Sequence, residues 1–253
     1  MAVDEAILEA VGHGSSFPTL RLFAWDPPCL SLGYAQPTGD VDLPALSYLG
    51  WHLVRRPTGG RAILHTDELT YSVIAPLREP RVAGSVLESY SRLAQALLLA
   101  LQTLTLPAQA KEAYGTPRHS TNPICFEVPS NYEITVNGKK LIGSAQARRK
   151  EGVLQHGSLP LTGDLTRITR VLNYPDENHR REAASRLLEH ATTVETVLLR
   201  QIAWDQAAVA FENAFRQALN LDFISDDLSK DEYRRAEELV VQKYDHPSWT
   251  GRI

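Results

Sequence analysis

The feature that most limits the folds open to this chain is an Asn137-Gly138 pair between two short runs of alternating apolar and polar residues. Asn-Gly is the favoured pair for a two-residue type I′ turn, and such a turn fixes the register of the strands on either side of it. The chain must therefore contain an antiparallel hairpin here. The register predicts three cross-strand pairs: Val136 with Lys139, Thr135 with Lys140, and Ile134 with Leu141.

Opposed residues of a hairpin share one face of the sheet, so the register also predicts which side chains lie together. The apolar face would carry Tyr132, Ile134, Val136 and Leu141, and the other face Glu133, Thr135, Lys140 and Ile142. Lys139 is then expected to be an edge charge that reaches out to water. Lys140 is expected in a polar cleft, with a solvated surface position as the alternative.

A cysteine precedes this hairpin, since Cys125 lies 15 residues before Lys140. A thiolate attacks acyl carbonyls, and a nearby ammonium group favours the ionised thiol and neutralises charge on the carbonyl oxygen. The two residues therefore predict covalent acyl transfer. The alternative is a small buried apolar residue at 125 and an ordinary surface lysine at 140.

Composition narrows the class of protein. Two cysteines among 253 residues, Cys29 and Cys125, are too few for a disulfide framework and indicate a reducing cytoplasm. A formal charge of -4 argues against a general nucleic-acid-binding protein. The acidic start of the chain lacks the features of a secretory signal, and no run is long enough for a membrane span. The sequence suggests no metal site.

Periodicity predicts an α+β fold. A helix is expected over residues 2–11 with Gly12 as its stop, then strands over 19–25, 29–34, 51–56 and 68–75, with a short helix after Asp42. Ser85 and Glu88 form a capping box for a helix that Pro107 limits. The last third, from about residue 162, reads as helical, with capping boxes at Thr192/Glu195 and Ser229/Glu232 and an apolar stripe through Val209, Phe211 and Phe215. We expect one catalytic domain over 1–253, or a boundary near 161–164. The proline-containing segment 107–124 is expected to be a loop able to close over substrate.

Two further segments are candidate ligand sites. The run from Arg55 to His65 places Gly59 and Gly60 after a strand, where main-chain N–H groups can approach a ligand closely. The alternative to a ligand-binding loop is an ordinary turn with exposed arginines. The alternative to a ligand-binding role for His65 is a position in the core or in a turn. In the run from Gly143 to Ser158, small residues leave room for an acyl chain, with Ser144, Gln146 and His156 orienting its polar end. The glycines are equally compatible with β-bulges.

Taken together, these motifs resemble the lipoate and biotin protein ligase/transferase superfamily, and within it the LipM-type octanoyltransferases. The resemblance runs along nearly the whole chain. It rests on segments 1–6, 31–34, 55–65, 68–73, 125–133, 138–146 and 155–158 and on the closing Lys243-Tyr244 and Trp249. Family members commonly begin with a strand before the segment matched by 1–6, so we expect either that an edge strand is missing or that the true start lies upstream.

The resemblance implies a mixed β-sheet core packed with helices, as in biotin/lipoyl ligase catalytic domains, and a two-step reaction. An octanoyl group would pass from acyl carrier protein to Cys125, which matches the acyl-thioester position. It would then pass to a lysine of a lipoyl-accepting protein, the glycine-cleavage H protein or an E2 lipoyl domain. Lys140 matches the lysine that lowers the cysteine pKa and holds the acyl carbonyl. No cofactor is implied, and a monomer is expected.

The residues implied to bind substrate are Arg56, Thr58, Gly59, Gly60, Arg61, His65, Tyr71, Gly143, Ser144, Ala145, Gln146, His156 and Gly157. His156 is the candidate general base if it lies close to Cys125. Three other functions remain open: amidotransfer between lipoyl domains as in LipL-type enzymes, ATP-dependent lipoate ligation, and a binding module without catalysis.

Overall fold

Two β-sheets form the centre of the computed structural model, which describes residues 1–112, 123–124 and 132–252. The strands are β1 Thr19–Phe23, β2 Cys29–Leu32, β3 His52–Arg55, β4 Ile63–His65, β5 Glu68–Ala75, β6 Gln109–Glu112, β7 Tyr132–Val136, β8 Lys139–Arg148 and β9 Val153–Pro160. In the described residues the larger sheet has the order β1-β5-β9-β8-β7-β6, with every neighbouring pair antiparallel. The smaller sheet has the order β3-β2-β4 and is mixed, because β2 runs parallel to β3 and antiparallel to β4.

Helices cover the sheets, and those from α4 onward follow the last strand in the chain. They are α1 Ala2–His13, α2 Leu43–Tyr48, α3 Val86–Thr103, α4 Glu177–His190, α5 Val194–Leu198, α6 Trp204–Leu219, α7 Lys230–Leu239 and α8 Pro247–Thr250. Short 3-10 turns span Thr38–Asp40 and Leu165–Val171, and a π-helical turn spans Val240–Tyr244. The predicted α+β class is confirmed. In the part of the chain that is described, no helix has the length and apolar character needed to cross a bilayer.

The main core lies between the larger sheet and the helices α3 and α6. Both the Ser85/Glu88 and the Ser229/Glu232 capping boxes form as predicted. Leu93, Leu97 and Leu101 of α3 are buried with Phe211 and Phe215 of α6. Burying such side chains is worth roughly 2 kcal/mol each, which is why α3 needs its apolar stripe to face the sheet.

The opposite face of the larger sheet is partly covered by α1. Ile7, Leu8 and Val11 pack there against Ile74 of β5 and Leu154 of β9. The helix is longer than predicted, because Gly14 with φ 77° is its C-cap and Gly12 lies within it. The last carbonyls of a helix lack N–H donors within the helix, and a left-handed C-cap supplies such donors. Here the Gly14 N–H donates to the Val11 carbonyl.

The 137–138 hairpin forms with one correction to its register. Val136 pairs with Lys139 and Thr135 with Lys140, as predicted, but Ile134 pairs with Ile142 because a β-bulge intervenes. Leu141 and Ile142 are consequently both buried in the main core, and the prediction that Ile142 shares the Lys140 face is wrong. The side chain of Tyr132 lies outside the described part.

Several element boundaries also differ from the sequence-based expectation. Thr193, not Thr192, caps α5, since its hydroxyl accepts the Thr196 N–H. Val209 is 57% exposed, so the stripe of α6 runs through Phe211 and Phe215 without it. Segment 107–124 is not a loop throughout, because β6 adds a strand to the edge of the larger sheet. The expected loop residues 113–122 lie outside the described part.

A single buried arginine ties the C-terminal segment to the loop after β2. The Arg55 guanidinium donates to the carbonyls of residues 33, 34 and 36 and to the Thr38 hydroxyl. It also donates to the carbonyls of residues 249, 250 and 252. Trp249 returns a hydrogen bond from its indole N–H to the Arg55 carbonyl at 2.9 Å. Only a planar group with several fixed donors can serve so many acceptors at once.

We expect Arg55→Lys to lower the free energy of unfolding by about 3 kcal/mol, because one ammonium group would leave several buried carbonyls without donors. The measurement is urea unfolding. Arg234→Lys is the matched control, since that side chain is 70% exposed beside Asp231 and should change stability by less than about 0.5 kcal/mol. Equal losses in the two variants would contradict the role given to Arg55.

Candidate active site

The register of the larger sheet sorts the predicted site residues onto two faces. Ala145 lies opposite His156 and Gly143 opposite Ser158, whereas Ser144 lies opposite Gly157. Opposed residues share a face and neighbours along a strand alternate. Lys140, opposite Thr135, falls on the face of Gly143 and Ala145, because the bulge displaces Leu141. We call the side that carries Lys140, Gly143, Ala145 and His156 the Lys140 face, and the side beneath α3 and α6 the helix face.

Lys140 is buried on its face. Its side chain is only 3% exposed, which excludes the solvated surface position. The Nζ atom lies 3.0 Å from Oε1 of Glu133, the hairpin residue that the register predicted to share its face. The Lys140 carbonyl accepts the Thr192 N–H at 3.0 Å, so the segment after α4 holds this strand in place. Lys139 points elsewhere and donates to the Leu188 carbonyl of α4 at 2.5 Å.

Cys125 lies outside the described residues, but the two residues before it are described. The Ala62 N–H donates to the Pro123 carbonyl at 2.9 Å, and Ala62 forms a parallel bridge with Ile124. Gln36, which the sequence did not suggest, donates from Nε2 to the same Pro123 carbonyl at 3.0 Å. Ile124 is buried and lines a pocket of about 470 Å³ that is partly open to solvent. The chain is therefore anchored beside Ala62 as it enters Cys125.

Ile124 is linked to Lys140 through one apolar cluster. Ile124, Leu187 and Ala191 belong to the core between the smaller sheet and α4. Ala191 in turn forms a parallel bridge with Lys140. The segment that leads into Cys125 and the strand that carries Lys140 thus pack on the same cluster.

The loop after β3 contains Gly59 and Gly60, and we call it the glycine loop. Arg56 holds this loop from its inner side. This buried guanidinium donates to the carbonyls of Ser31, Gly59 and Arg61 at 3.0, 2.9 and 2.7 Å. Gly60 adopts φ 94°, a conformation that favours glycine, and both Gly59 and Gly60 are exposed. The alternative of an ordinary turn with exposed arginines is wrong, because Arg55 and Arg56 are buried and Arg56 organises the loop.

His65 joins the two sheets. Its Nδ1 lies 2.6 Å from Oε1 of Glu68 and its Nε2 2.7 Å from the Ser31 hydroxyl, and its ring stacks on Trp25 at 4.3 Å. Glu68 also accepts the Ser158 hydroxyl at 2.7 Å. Both ring nitrogens of His65 are therefore occupied within the protein. The core role that the sequence left open for His65 fits this geometry.

Burial alone would raise the pKa of the Glu68 carboxyl. The neighbouring His65 and the hydrogen bonds from His65, Thr70 and Ser158 outweigh that effect and hold the pKa below its usual range. Glu68 is thus a stable buried carboxylate at the junction of the two sheets.

His156 contacts the glycine loop directly. Its Nε2 lies 2.6 Å from the Thr58 hydroxyl, and its Nδ1 faces Oδ2 of Asp4 at 3.9 Å. Burial lowers the pKa of His156 although Asp4 acts to raise it. The sequence predicted His156 and Thr58 as site residues. No sequence pattern indicated Asp4, which lies on α1. The predicted closeness of His156 to Cys125 falls on a residue outside the described part.

The remaining predicted residues form a separate network on the helix face. The Tyr71 hydroxyl lies 2.7 Å from the Ser144 hydroxyl and accepts from Gln155 Nε2 at 3.1 Å. Gln146 Nε2 donates to Gln155 Oε1 at 2.9 Å and to the Ser89 hydroxyl of α3 at 3.0 Å. Burial raises the pKa of Tyr71 to about 12.

Ser144 and Gln146 are therefore not brought together with His156, because alternation along β8 points them to the opposite face. Gly157 is small for an internal reason: a Cβ there would lie 2.6 Å from Tyr71 Cε1 and 2.7 Å from the Gly143 carbonyl oxygen. Neither Gly143 nor Gly157 is a bulge, since β8 and β9 pair without a register shift there. A pocket of about 270 Å³ adjoins Ser144 and Gln155 beneath α3.

Comparison with known proteins identifies the family of this chain. Residues 1–216 match the model of the lipoyl protein ligase A/B catalytic domain. Octanoyltransferase LipM of Moorella thermoacetica is 42% identical over 257 residues, with 100% of this chain and 93% of that protein aligned. The chain belongs to the lipoyl protein ligase A/B catalytic domain family.

Further comparisons agree with this family. Octanoyltransferase LipM of Carboxydothermus hydrogenoformans is 37% identical over 254 residues, with 100% of this chain and 94% of that protein aligned. A solved structure from the lipoylation system of Thermoplasma acidophilum, described as a bi-partite lipoate protein ligase and its E2 lipoyl domain, superposes with a TM-score of 0.79 at 24% identity. The superposition covers 99% of this chain and 92% of that one and confirms the predicted fold.

We expect Gly33→Ala to lower the free energy of unfolding by about 1–3 kcal/mol, measured by urea unfolding. A Cβ at Gly33 would lie 1.8 Å from the Gly60 carbonyl oxygen, so the glycine loop of this family member would have to move. Gly39→Ala is the matched control, because a Cβ there meets nothing within 4 Å. A loss of stability in Gly33→Ala no larger than that in the control would contradict the close approach of the two loops.

Glu68→Gln should flatten the dependence of stability on acid pH. The folded pKa of Glu68 lies below the unfolded value of about 4.3, so its contribution is present above that pH and is lost as the pH falls through the folded pKa. We expect the free energy of unfolding of the unaltered protein to fall below about pH 4.5, and the variant to show a smaller slope there. Urea unfolding at several pH values measures both slopes, and identical slopes would refute the assignment.

Proposed function

We propose that this chain is an octanoyltransferase that carries the octanoyl group as a thioester on Cys125. The LipM relatives, at 37% and 42% identity over the full chain, support octanoyl transfer and agree with the acyltransferase class predicted from the sequence. The donor would be octanoyl-acyl carrier protein. The acceptor would be a lysine of a lipoyl-accepting protein, either the glycine-cleavage H protein or an E2 lipoyl domain.

The observation that carries the proposal is that the segment before Cys125 packs in an apolar cluster to which the strand that carries Lys140 is bridged. Ile124 is held by Ala62 and packs with Ala191, which bridges to Lys140. A buried ammonium group on the face that receives the glycine loop can favour a thiolate and stabilise charge on an acyl oxygen. Glu133 keeps that ammonium group in position at 3.0 Å.

The second cysteine is unsuited to this chemistry. Cys29 lies in β2, is buried, and has its pKa raised to about 12 by burial. A thiol that stays protonated is a poor nucleophile near neutral pH. Of the two cysteines in the sequence, Cys125 is therefore the one assigned to the thioester.

The reaction would run in two balanced acyl transfers. The Cys125 thiolate attacks the donor thioester carbonyl, the octanoyl–sulfur bond to the carrier breaks, and the carrier thiolate leaves and takes a proton. The neutral amine of the acceptor lysine then attacks the Cys125 thioester, loses a proton, and releases the Cys125 thiolate. Lys140 and the N–H groups near Gly59 and Gly60 would stabilise the oxyanion in both steps.

The acyl chain would lie on the Lys140 face, over the small residues Gly143 and Ala145. Arg56, Thr58 and Arg61 would shape the loop above it. The other predicted substrate-binding residues would support the site from behind through the two networks described above: His65, Tyr71, Ser144, Gln146, His156 and Gly157. We further propose that one domain acts as a monomer in the cytoplasm, without a cofactor and without binding nucleic acid or membrane.

The test is to incubate the purified protein with octanoyl-acyl carrier protein and weigh it intact. We expect one octanoyl adduct that hydroxylamine removes, because thioesters are cleaved by it. Cys125→Ser should give no hydroxylamine-sensitive adduct, whereas Cys29→Ala, the matched control, should keep it. Addition of an acceptor lipoyl domain should then discharge the adduct onto that domain.

Three outcomes would contradict the proposal. An adduct that survives in Cys125→Ser would place the acyl group elsewhere. Transfer that requires ATP and free octanoate would favour a ligase. Loading only from octanoyl-H protein, and not from the carrier protein, would favour the LipL-type exchange.

A further inference from the structure

Three buried side chains from three different elements form a line that ends at the glycine loop. Asp4 of α1, His156 of β9 and Thr58 before Gly59 are 0%, 6% and 1% exposed. His156 Nε2 lies 2.6 Å from the Thr58 hydroxyl, and its Nδ1 lies 3.9 Å from Asp4 Oδ2. The two acyl-transfer steps proposed above give Asp4 no role.

Only one of the two carboxylate oxygens of Asp4 accepts hydrogen bonds from the described residues. Asp4 Oδ1 accepts from Arg21 Nη1 at 2.9 Å and from the Ser72 hydroxyl at 3.0 Å. Asp4 Oδ2 and His156 Nδ1 are buried and have no hydrogen-bond partner among the described residues. The 3.9 Å between them is longer than a hydrogen bond, but at that distance inside the protein a carboxylate still acts strongly on an imidazole ring. The two atoms therefore interact electrostatically with each other.

This pairing selects the tautomer of His156. A carboxylate oxygen only accepts, so the proton of a neutral ring belongs on Nδ1, facing Asp4. Nε2 is then an acceptor, and the Thr58 hydroxyl donates to it. Burial lowers the pKa of His156, which keeps the ring neutral near neutral pH; the charged groups around it are Asp4, Arg56 and the Met1 amino group, with Arg21 behind Asp4.

The last member of the line, Thr58, directly precedes the two glycines of the glycine loop. The Thr58 carbonyl accepts the Tyr34 N–H at 2.9 Å, while its side chain is held against β9 by His156. Gly59 and Gly60 follow directly, are exposed, and lack side chains that could fix them. Their position therefore depends on Arg56, which holds the Gly59 carbonyl, and on how Thr58 is held by His156.

We propose that Asp4 and His156 are positioning residues that act through the Thr58 hydroxyl to place the Gly59 and Gly60 N–H groups for acyl transfer. This inference rests on the proposed octanoyl transfer. Since a misplaced oxyanion donor weakens the transition state more than the bound substrates, the line should affect kcat more than KM.

The test compares Thr58→Val with Thr58→Ser in steady-state transfer from octanoyl-acyl carrier protein to a lipoyl domain. Valine has nearly the shape of threonine but cannot donate to His156, whereas serine can. We expect Thr58→Val to lower kcat by about 10- to 100-fold with KM for the acceptor changed less than about threefold. Thr58→Ser should stay within about threefold of the unaltered protein. Prolonged incubation should still load one octanoyl group on Thr58→Val.

Thr169→Val is the matched control, since Thr169 is equally buried and its hydroxyl donates to the Thr166 carbonyl at 2.8 Å, away from the line. It should keep kcat. Asp4→Asn provides a second variant if Thr58→Val does not fold, and it should lower kcat in the same way because the amide no longer fixes the tautomer. Equal kcat in Thr58→Val and the unaltered protein, or equal losses in the Val and Ser variants, would overturn the inference. No adduct in the unaltered protein would instead overturn the proposed function.

Discussion

The structure depends on a buried polar layer between its two sheets. Glu68 on the larger sheet binds His65 on the smaller one, and His65 in turn contacts Ser31, whose carbonyl accepts from Arg56. Buried polar groups are costly unless each finds a partner, so this layer permits only one relative placement of the two sheets. Arg56 holds the glycine loop by hydrogen bonds to its carbonyls. The location of this loop over the larger sheet therefore follows from the relative placement of the two sheets.

Local rules of the chain explain what the sequence predicted well. The Asn137-Gly138 turn and the two capping boxes each depend on residues within a few positions of one another, so their chemistry is visible in the sequence. The β-bulge was missed because both Leu141 and Ile142 are apolar. Alternation cannot say which of two adjacent apolar residues is the extra one, and the buried core under α3 accepts both.

Long-range partners explain what the sequence could not predict at the candidate site. Asp4 reaches His156, Gln36 reaches Pro123, and Arg55 reaches the carbonyls of residues 249, 250 and 252. No local pattern connects such distant positions, and an arginine a few residues before two glycines is equally compatible with a surface charge. The division of Ser144 and His156 between the two faces followed only from the pairing of β8 with β9, which requires both strands to be placed.

The arginine at the centre of the C-terminal contacts has a consequence for the order in which the protein is made. The carbonyls of residues 249, 250 and 252 are the last of its acceptors to be synthesised. While a ribosome still holds that stretch, the guanidinium has only the acceptors of the loop after β2, so its full set of hydrogen bonds forms only after those residues have emerged.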